Sequence, residues 1–118
     1  MKRFFLKSKI HRASVTAIDM DYEGSIALDE ELMKAADLEP FEKVDVYNVS
    51  NGERFSTYVI KAEKGARTVG IYGAAAHKVK AGDKLIIAAY ALFDDGEIGF
   101  FTPKVVLVDG ENRIADVR

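Results

Sequence analysis

The chain is a succession of short β-type segments separated by turns, and this pattern most limits the folds that it can adopt. Apolar and β-branched residues fill segments of strand length, and only one stretch has a helical period. Together these features predict a mostly β (α+β) fold, a small six- to seven-stranded β-barrel. The predicted strands are 4–10, 14–20, 43–50, 53–60, 67–72, 85–93 and 104–108.

Two segments carry a more specific local signal. The pair Asn51-Gly52 joins two β-rich segments and predicts a tight hairpin, because both residue types tolerate a positive φ. Between residues 29 and 38 the apolar residues recur with the helical period, which predicts one short helix that has Asp29 as its N-cap and ends before Pro40. The apolar run 85–93 instead predicts a central strand covered on both faces.

Length and composition bound the class of protein. With 118 residues the chain predicts a single domain, 1-118, with one modest core to which oligomerisation would add stability. We see no repeat or linker, only a short polar C-terminal tail, 109–118. The net charge of -2 and the scattered Lys and Arg residues argue against nucleic acid as a partner. The absence of Cys excludes disulfides, thiolate catalysis and zinc sites of the Cys type.

The chain carries no signal for secretion or for a membrane. Its basic N-terminus continues into a short apolar run, Phe4 to Leu6, whereas a signal peptide needs an apolar core of about 7 to 15 residues. No window approaches the roughly 18 apolar residues of a membrane span. We therefore expect a cytoplasmic protein with no membrane partner.

Four short segments carry residues suited to chemistry, although each alone has an ordinary explanation. A Gly-Ser pair is a common turn, a lone cation on a strand is usually solvated, and a run of small residues packs a tight corner. The segments are Lys9-Ile10-His11, Asp21-Tyr22-Glu23-Gly24-Ser25, Asn51 to Tyr58 and Gly73-Ala74-Ala75-Ala76-His77.

In this order and spacing, from about Lys7 to about Ala89, the segments resemble the pyruvoyl-dependent aspartate 1-decarboxylases (aspartate alpha-decarboxylases). In that family the chain cuts itself before a serine and converts this serine into a covalent pyruvoyl cofactor. The resemblance implies self-processing between Gly24 and Ser25 into a small chain, 1-24, and a large chain, 25-118. It also implies a double-psi β-barrel assembled as a homotetramer.

The activity that the resemblance implies is decarboxylation of L-aspartate at its α-carboxylate, which gives β-alanine for pantothenate and coenzyme A synthesis. The carbanion left by carbon dioxide needs an electron sink, and a ketone made from Ser25 provides one through a Schiff base with the substrate amine. We expect no pyridoxal phosphate. We also expect no metal, because neither His11 nor His77 has a second ligand at suitable spacing. The need for a maturation helper stays open.

The resemblance also implies a role for each candidate residue. The catalytic residues are Ser25 and Tyr58, with Tyr58 as the proton donor in turnover. Gly24 is expected to permit a strained backbone, so that the Ser25 hydroxyl can attack the Gly24 carbonyl. The other implied roles are substrate binding by Lys9, Arg54, Thr57, Gly73, Ala74 and Ala75, and self-processing by Gly24, Ser25, His11, Tyr22 and Thr57.

The residues by themselves leave alternatives open. Neighbours on one strand point to opposite faces, so Thr57 and Tyr58 reach one pocket only through a bend or a second subunit. Lys9 and Arg54 hold the two carboxylates of aspartate only if the fold brings them together. The Gly-Ala-Ala-Ala corner either exposes backbone N-H groups to a ligand or packs a turn, and it lacks the spacing of a nucleotide loop. His77 is expected to be a structural hydrogen-bonding residue.

One residue departs from the family pattern. The family is expected to have Asn before the Gly-Ala-Ala-Ala corner, whereas this chain has Tyr72. A phenol there is expected to narrow the pocket or slow the cleavage. If its ring points away from the pocket, it should affect only stability.

Two other classes of function were weighed. A non-catalytic β-barrel binding or assembly module, with an uncleaved Gly24-Ser25 bond, would have a very similar sequence. An oligonucleotide-binding barrel is disfavoured by the charge and by the lack of aromatic residues interleaved with basic ones.

Overall fold

The computed structural model describes the whole chain, Met1–Arg118, as a mostly β fold with nine strands, two short α-helices and one 3-10 helix. No helix has the length and apolar character that a membrane crossing requires. The strands are β1 Lys2–Ser14, β2 Ala17–Asp19, β3 Ser25–Asp29, β4 Lys43–Asn48, β5 Arg54–Ala62, β6 Val69–Tyr72, β7 Lys84–Asp94, β8 Lys104–Val108 and β9 Ile114–Val117. The helices are α1 Glu30–Ala35, α2 Asp95–Ile98 and the 3-10 helix Gly73–Lys78.

The sheet closes into a barrel because β1 and β2, its first two strands, are almost continuous along the chain. The strand order is β2-β6-β3-β5-β4-β7-β1-β8-β9. Only Val15 and Thr16 separate β1 from β2, so the two form one bent strand that meets β7 at one end and β6 at the other. The barrel wall therefore consists of this bent strand and β3 to β7, while β8 and β9 extend the sheet outside the ring.

The barrel is built from two interlocked halves with the same order of elements. The first half is the bent strand, β3, α1 and β4, and the second is β5, β6, the 3-10 helix and β7. Each half lends a strand to the other through the parallel pairs β2·β6 and β3·β5. This exchange is the double-psi arrangement, so the predicted double-psi barrel is confirmed. The repeat is one of backbone topology, which explains why the sequence showed none.

The inward faces of the six wall strands form the core. Alternate residues on each strand point inward, and α1 closes one end with Leu32 and Met33. Each fully buried aliphatic side chain contributes about 1.5 to 3 kcal/mol through its removal from water. The fully buried strand residues include Ile10, Ile26, Leu28, Val44, Val46, Val59, Val69, Ile71, Leu85 and Ile87.

Asp29 fixes the junction between β3 and α1. Its carboxylate accepts the backbone N-H of Glu31 at 2.8 Å, which confirms the predicted N-cap. The same carboxylate accepts the N-H groups of Gly65 at 3.1 Å and Arg67 at 2.7 Å, although Asp29 is only 2% exposed. The helix is shorter than predicted, because Asp37 adopts a positive φ of 54° and turns the chain before Pro40 is reached.

The predicted hairpin is confirmed, since β4 and β5 pair in antiparallel fashion, but the two-residue turn predicted at Asn51-Gly52 is wrong. The connection between β4 and β5 is longer, and of the two residues only Gly52 has a positive φ, 80°. The side chain of Asn51 instead accepts the N-H of Glu53 at 2.8 Å and donates to the carbonyl of Lys78 at 3.0 Å. These bonds hold the loop between β4 and β5 against the end of the 3-10 helix.

Three other boundaries differ from the prediction. The predicted polar tail is partly ordered as β9, whose residues Ile114, Ala115 and Val117 are apolar and whose backbone pairs with β8. The segments 4–10 and 14–20 are not two equal strands, since β1 alone has 13 residues. In β7 only the first half is covered on both faces, whereas Tyr90 and Leu92 are exposed.

We predict that Asp29→Ala will lower the free energy of unfolding by about 2 to 4 kcal/mol, because it removes a cap and leaves buried N-H groups unpaired. The matched control is Asp109→Ala, since Asp109 also accepts two backbone N-H groups but is exposed. Urea unfolding of both variants measures the difference. An equal loss in the two would contradict the role of burial at Asp29.

Candidate functional site

Ser25 is a buried residue that directly follows an exposed loop. It is the first residue of β3 and is 1% exposed, whereas Gly24 is exposed. The Ser25 hydroxyl donates a hydrogen bond to the Glu23 carbonyl at 3.1 Å. This bond holds Oγ on the N-terminal side of Ser25, the side of the Gly24 peptide. The arrangement thus places a hydroxyl nucleophile next to the carbonyl that it would attack.

The two strands that flank β3 bring two predicted site residues, Thr57 and Tyr58, and also Tyr72 to this point. Ser25 pairs with Tyr72 in the antiparallel ladder with β6. In the parallel ladder with β5, Ile26 is opposite Val59, so Ser25 lies beside Tyr58 and Gly24 beside Thr57 when the register is extended. Strand pairing alone therefore gathers Thr57 and Tyr58 around the Gly24-Ser25 bond.

The steric constraint at the site falls on Gly73 and not on Gly24. The expected strain at Gly24 is not found, because its φ is not positive and a Cβ there would meet only the Tyr72 carbonyl, at 3.9 Å. Gly73 has a φ of 76°, and a Cβ built on it would lie 2.5 Å from Gly24 Cα and 2.8 Å from Gly24 N. The chain can turn at the end of β6 and touch the precursor backbone only because residue 73 has no side chain.

The corner that follows Gly73 combines packing with exposure. Ala76 is buried and contributes to packing, while Ala74 is exposed and Ala75 is half-buried. Residue 72, the N-cap of this 3-10 helix, makes no side-chain capping bond. His77 is exposed and its side chain makes no hydrogen bond within the chain, so the structural role expected for it is not found.

Thr57 and Tyr58 lie on opposite faces of β5, as strand geometry requires. Both are half-buried. The Tyr58 ring packs at a tilt against Phe41, with ring centroids 6.3 Å apart. Its hydroxyl has no hydrogen-bond partner within the chain, so this group is free to donate to a ligand.

Arg54 lies at the start of β5 on the outer face of the barrel. Its guanidinium stands over the ring of Tyr47, 4.3 Å from the centroid. The Tyr47 hydroxyl is 2.9 Å from that of Tyr90, and this hydrogen bond, with burial, raises the pKa of Tyr47 to about 12. The ring of Tyr47 thus serves as a platform for the cation.

Lys9 and His11 lie on the same outer face but on β1, across β4 and β7 from Arg54. Lys9 and Asp45 are both opposite Ala88, and Asp45 is opposite Ser56, so Lys9 is three strand spacings, about 14 Å, from β5. Within one chain, Lys9 and His11 are thus not brought together with Ser25.

The electrostatic surroundings keep His11 neutral. Burial first, and then the positive charges of Lys9 and Arg12, lower the pKa of His11. Its Nδ1 is buried without a hydrogen-bond partner. Burial and the two neighbouring cations thus both disfavour the charged imidazolium form.

The sequence prediction missed Tyr47 and Tyr90, which support Arg54, and Gly70, over which the ring of Tyr72 lies. Tyrosines are common on strands, so the two Tyr residues gave no signal. The contact between Gly70 and Tyr72 had a signal in the sequence, because residues two apart on a strand share a face. A glycine at such a position leaves room for a large neighbour.

The chain is similar in sequence to one family of known proteins over nearly its whole length. A family model described as aspartate decarboxylase matches residues 1–115. The aspartate 1-decarboxylase of Ralstonia nicotianae is 48% identical over 118 residues, which is 100% of this chain and 98% of the relative. That of Syntrophus aciditrophicus is 55% identical over 114 residues, 97% of this chain and 98% of the relative.

Among solved structures, a rationally designed protein, mkDPBB_sym_86, is 14% identical with a TM-score of 0.49, over 67% of this chain and 91% of that one. The family model and the full-length relatives decide the assignment. The chain belongs to the aspartate decarboxylase family.

Proposed function

We propose that this chain is a pyruvoyl-dependent aspartate 1-decarboxylase that converts L-aspartate to β-alanine and carbon dioxide. The observation that carries the proposal is the position of Ser25, whose buried hydroxyl lies next to Gly24 and whose strand neighbours include Tyr58. The family match over residues 1–115 supports the same reaction. We further propose that the protein acts in the cytoplasm and that its β-alanine feeds pantothenate and coenzyme A synthesis.

The first step is self-processing. Ser25 Oγ attacks the Gly24 carbonyl carbon, the C-N bond breaks, and the hydroxyl proton passes to the released nitrogen, which leaves an ester. Removal of the Ser25 Cα proton then expels the Gly24 carboxylate from Cβ. Water next replaces the nitrogen, which leaves as ammonia, so that residue 25 ends as a pyruvoyl group. Gly73, packed on Gly24, supports the loop during the first of these bond changes.

The residues around position 25 fit such a group. Every residue of β3 is buried, and the strand is paired on both sides, with β5 and with β6. A chain end at residue 25 would therefore remain fixed after cleavage, while the exposed Gly24 is free to move away. The pyruvoyl group supplies a ketone that binds the substrate amine and takes up the electron pair left by carbon dioxide.

The remaining chemistry falls to side chains of the chain. We assign the return of a proton to the substrate carbon to Tyr58, because its strand register places residue 58 beside residue 25 and its hydroxyl has no partner within the chain. Lys9 and Arg54 form no ion pair with the chain's own carboxylates, so both remain available for those of aspartate. Thr57 and the small residues Gly73, Ala74 and Ala75 complete the substrate site.

Completion of this site requires more than one copy. Lys9 and His11 lie on β1, far from Ser25 in the same chain. We therefore propose that, in a homotetramer, one subunit supplies Ser25 to each site and a neighbouring subunit supplies Lys9 and His11. Large apolar side chains exposed on the single chain support assembly. They include Phe4, which is 74% exposed, and Leu92, Phe41 and Phe100.

The first prediction is that intact mass spectrometry of the purified protein will show two chains, residues 1–24 and 25–118. The larger fragment should weigh less than its hydrolysis product by one ammonia, because Ser25 loses its nitrogen. Ser25→Ala should remain one assembled, inactive chain, since it lacks the attacking hydroxyl. A single uncleaved chain from the parent sequence would favour the non-catalytic barrel. A free Ser25 amine in the cleaved protein would reject the pyruvoyl group.

The second prediction separates turnover from processing. Tyr58→Phe should still cleave itself and bind aspartate, but should turn over about 100-fold or more slowly, the usual scale for a lost proton donor. Intact mass measures the cleavage, and release of carbon dioxide measures the turnover. Unchanged turnover would leave Tyr58 as a packing residue.

The third prediction concerns the glycine at the corner. Gly73→Ala should slow self-cleavage at least about 10-fold, because its Cβ would displace Gly24. Gly82→Ala is the matched control, since Gly82 also has a positive φ, 87°, but a Cβ there meets nothing within 4 Å. Equal cleavage rates in the two variants would mean that the contact with Gly24 is unimportant.

A further inference from the structure

The ring of Tyr72 contacts the exposed loop that carries the cleavage site. We call residues 20–24 the precursor loop. The Tyr72 and Tyr22 rings meet edge to face, with centroids 5.1 Å apart and an angle of 72° between their planes. This is a favoured aromatic geometry, since the edge of one ring meets the face of the other. Tyr22 itself is 54% exposed, so the side chain of Tyr72 covers part of a residue that otherwise lies at the surface.

The position of the Tyr72 ring depends on Gly70. The two residues are two apart on β6 and share one face of the strand. A Cβ built on Gly70 would lie 2.6 Å from the Tyr72 hydroxyl oxygen and 2.8 Å from Cζ. The ring therefore folds back along β6 over Gly70. This finding differs from the expectation that the phenol narrows the pocket beside the Gly73 corner.

The precursor loop has few other attachments to the barrel. The hydrogen bonds of its side chains and loop backbone are local, from Asp21 N to the Asp19 carboxylate and from the Ser25 hydroxyl to the Glu23 carbonyl. Contact with the rest of the fold is made by Gly73 against the backbone and by Tyr72 against Tyr22. The aromatic pair thus joins a side chain of the loop to strand β6.

We propose that Tyr72 is a positioning residue for self-cleavage. Its ring, seated on Gly70, holds Tyr22 and so keeps the Gly24-Ser25 peptide against Gly73. This inference rests on the proposed function of Ser25 and assigns a part that acts before turnover. From the sequence alone, the phenol of Tyr72 is expected to slow cleavage. The proposed positioning role predicts the opposite, so Tyr72→Asn should cleave itself more slowly than the parent.

The first test measures the rate of self-cleavage by intact mass. Tyr72→Leu and Tyr72→Asn should each slow cleavage by about 2- to 10-fold, the range that one aromatic pair provides. Tyr72→Phe should cleave at the parent rate, because the lost hydroxyl has no hydrogen bond in the structure. Faster cleavage by Tyr72→Asn, or no rescue by Tyr72→Phe, would overturn the proposal.

Gly70→Ala separates positioning from stability. Alanine in a strand costs less chain entropy than glycine, so the melting temperature should not fall, yet its Cβ displaces the Tyr72 ring. Cleavage should therefore slow as much as in Tyr72→Leu, and the double variant should be no slower than either single one. If the two substitutions slow cleavage additively, or if Gly70→Ala cleaves at the parent rate, the proposed positioning role of Tyr72 is wrong.

A second readout does not depend on cleavage. In the Ser25→Ala background, amide hydrogen exchange of residues 20–24 should be faster when Tyr72→Leu is added and unchanged with Tyr72→Phe. If the parent protein never cleaves itself, the proposed function fails. The hydrogen-exchange rates alone then test whether Tyr72 holds the precursor loop. Equal exchange in all three proteins would show that Tyr72 does not hold the loop.

Discussion

Strand β3 is the element on which the rest of the structure depends. All five of its residues are buried, and it pairs in parallel with β5 and antiparallel with β6, so it joins the two halves of the barrel. Its first residue, Ser25, faces the precursor loop, and its last, Asp29, caps α1 and binds the turn at Gly65. A chain cut before Ser25 would therefore leave intact the ladders that hold the barrel together.

The sequence predicts those parts of the fold in which local chemistry decides. The strand Lys104–Val108 and the cap at Asp29 match their predictions because apolar alternation and capping are local signals. The β4-β5 connection does not match, because the side chain of Asn51 bonds to Lys78, which is distant in sequence. Strand β9 was missed for a similar reason, since its exposed residues have no apolar pattern and its order comes from pairing with β8.

The candidate site also has some features that could be predicted from the sequence and others that could not. The resemblance to a known family singles out Ser25, Thr57, Tyr58 and Gly73, and the fold brings the backbone at these positions together in one chain. The sequence does not show that Lys9 lies three strand spacings from β5, because barrel order is a property of the whole fold. The direction of the Tyr72 ring also escaped prediction, since it depends on the space above Gly70.

The pseudo-symmetry of the barrel makes two junctions comparable, one with a side-chain cap and one without. The β3-α1 junction of the first half corresponds to the β6-3-10 junction of the second. Asp29 satisfies the first with a buried carboxylate, whereas Tyr72 at the equivalent place offers no side-chain cap. The N-H groups that open a helix need partners, and the side chain of residue 72 provides none at the second junction. A ring at residue 72 can then turn outward to the precursor loop, because no capping bond requires it at the corner.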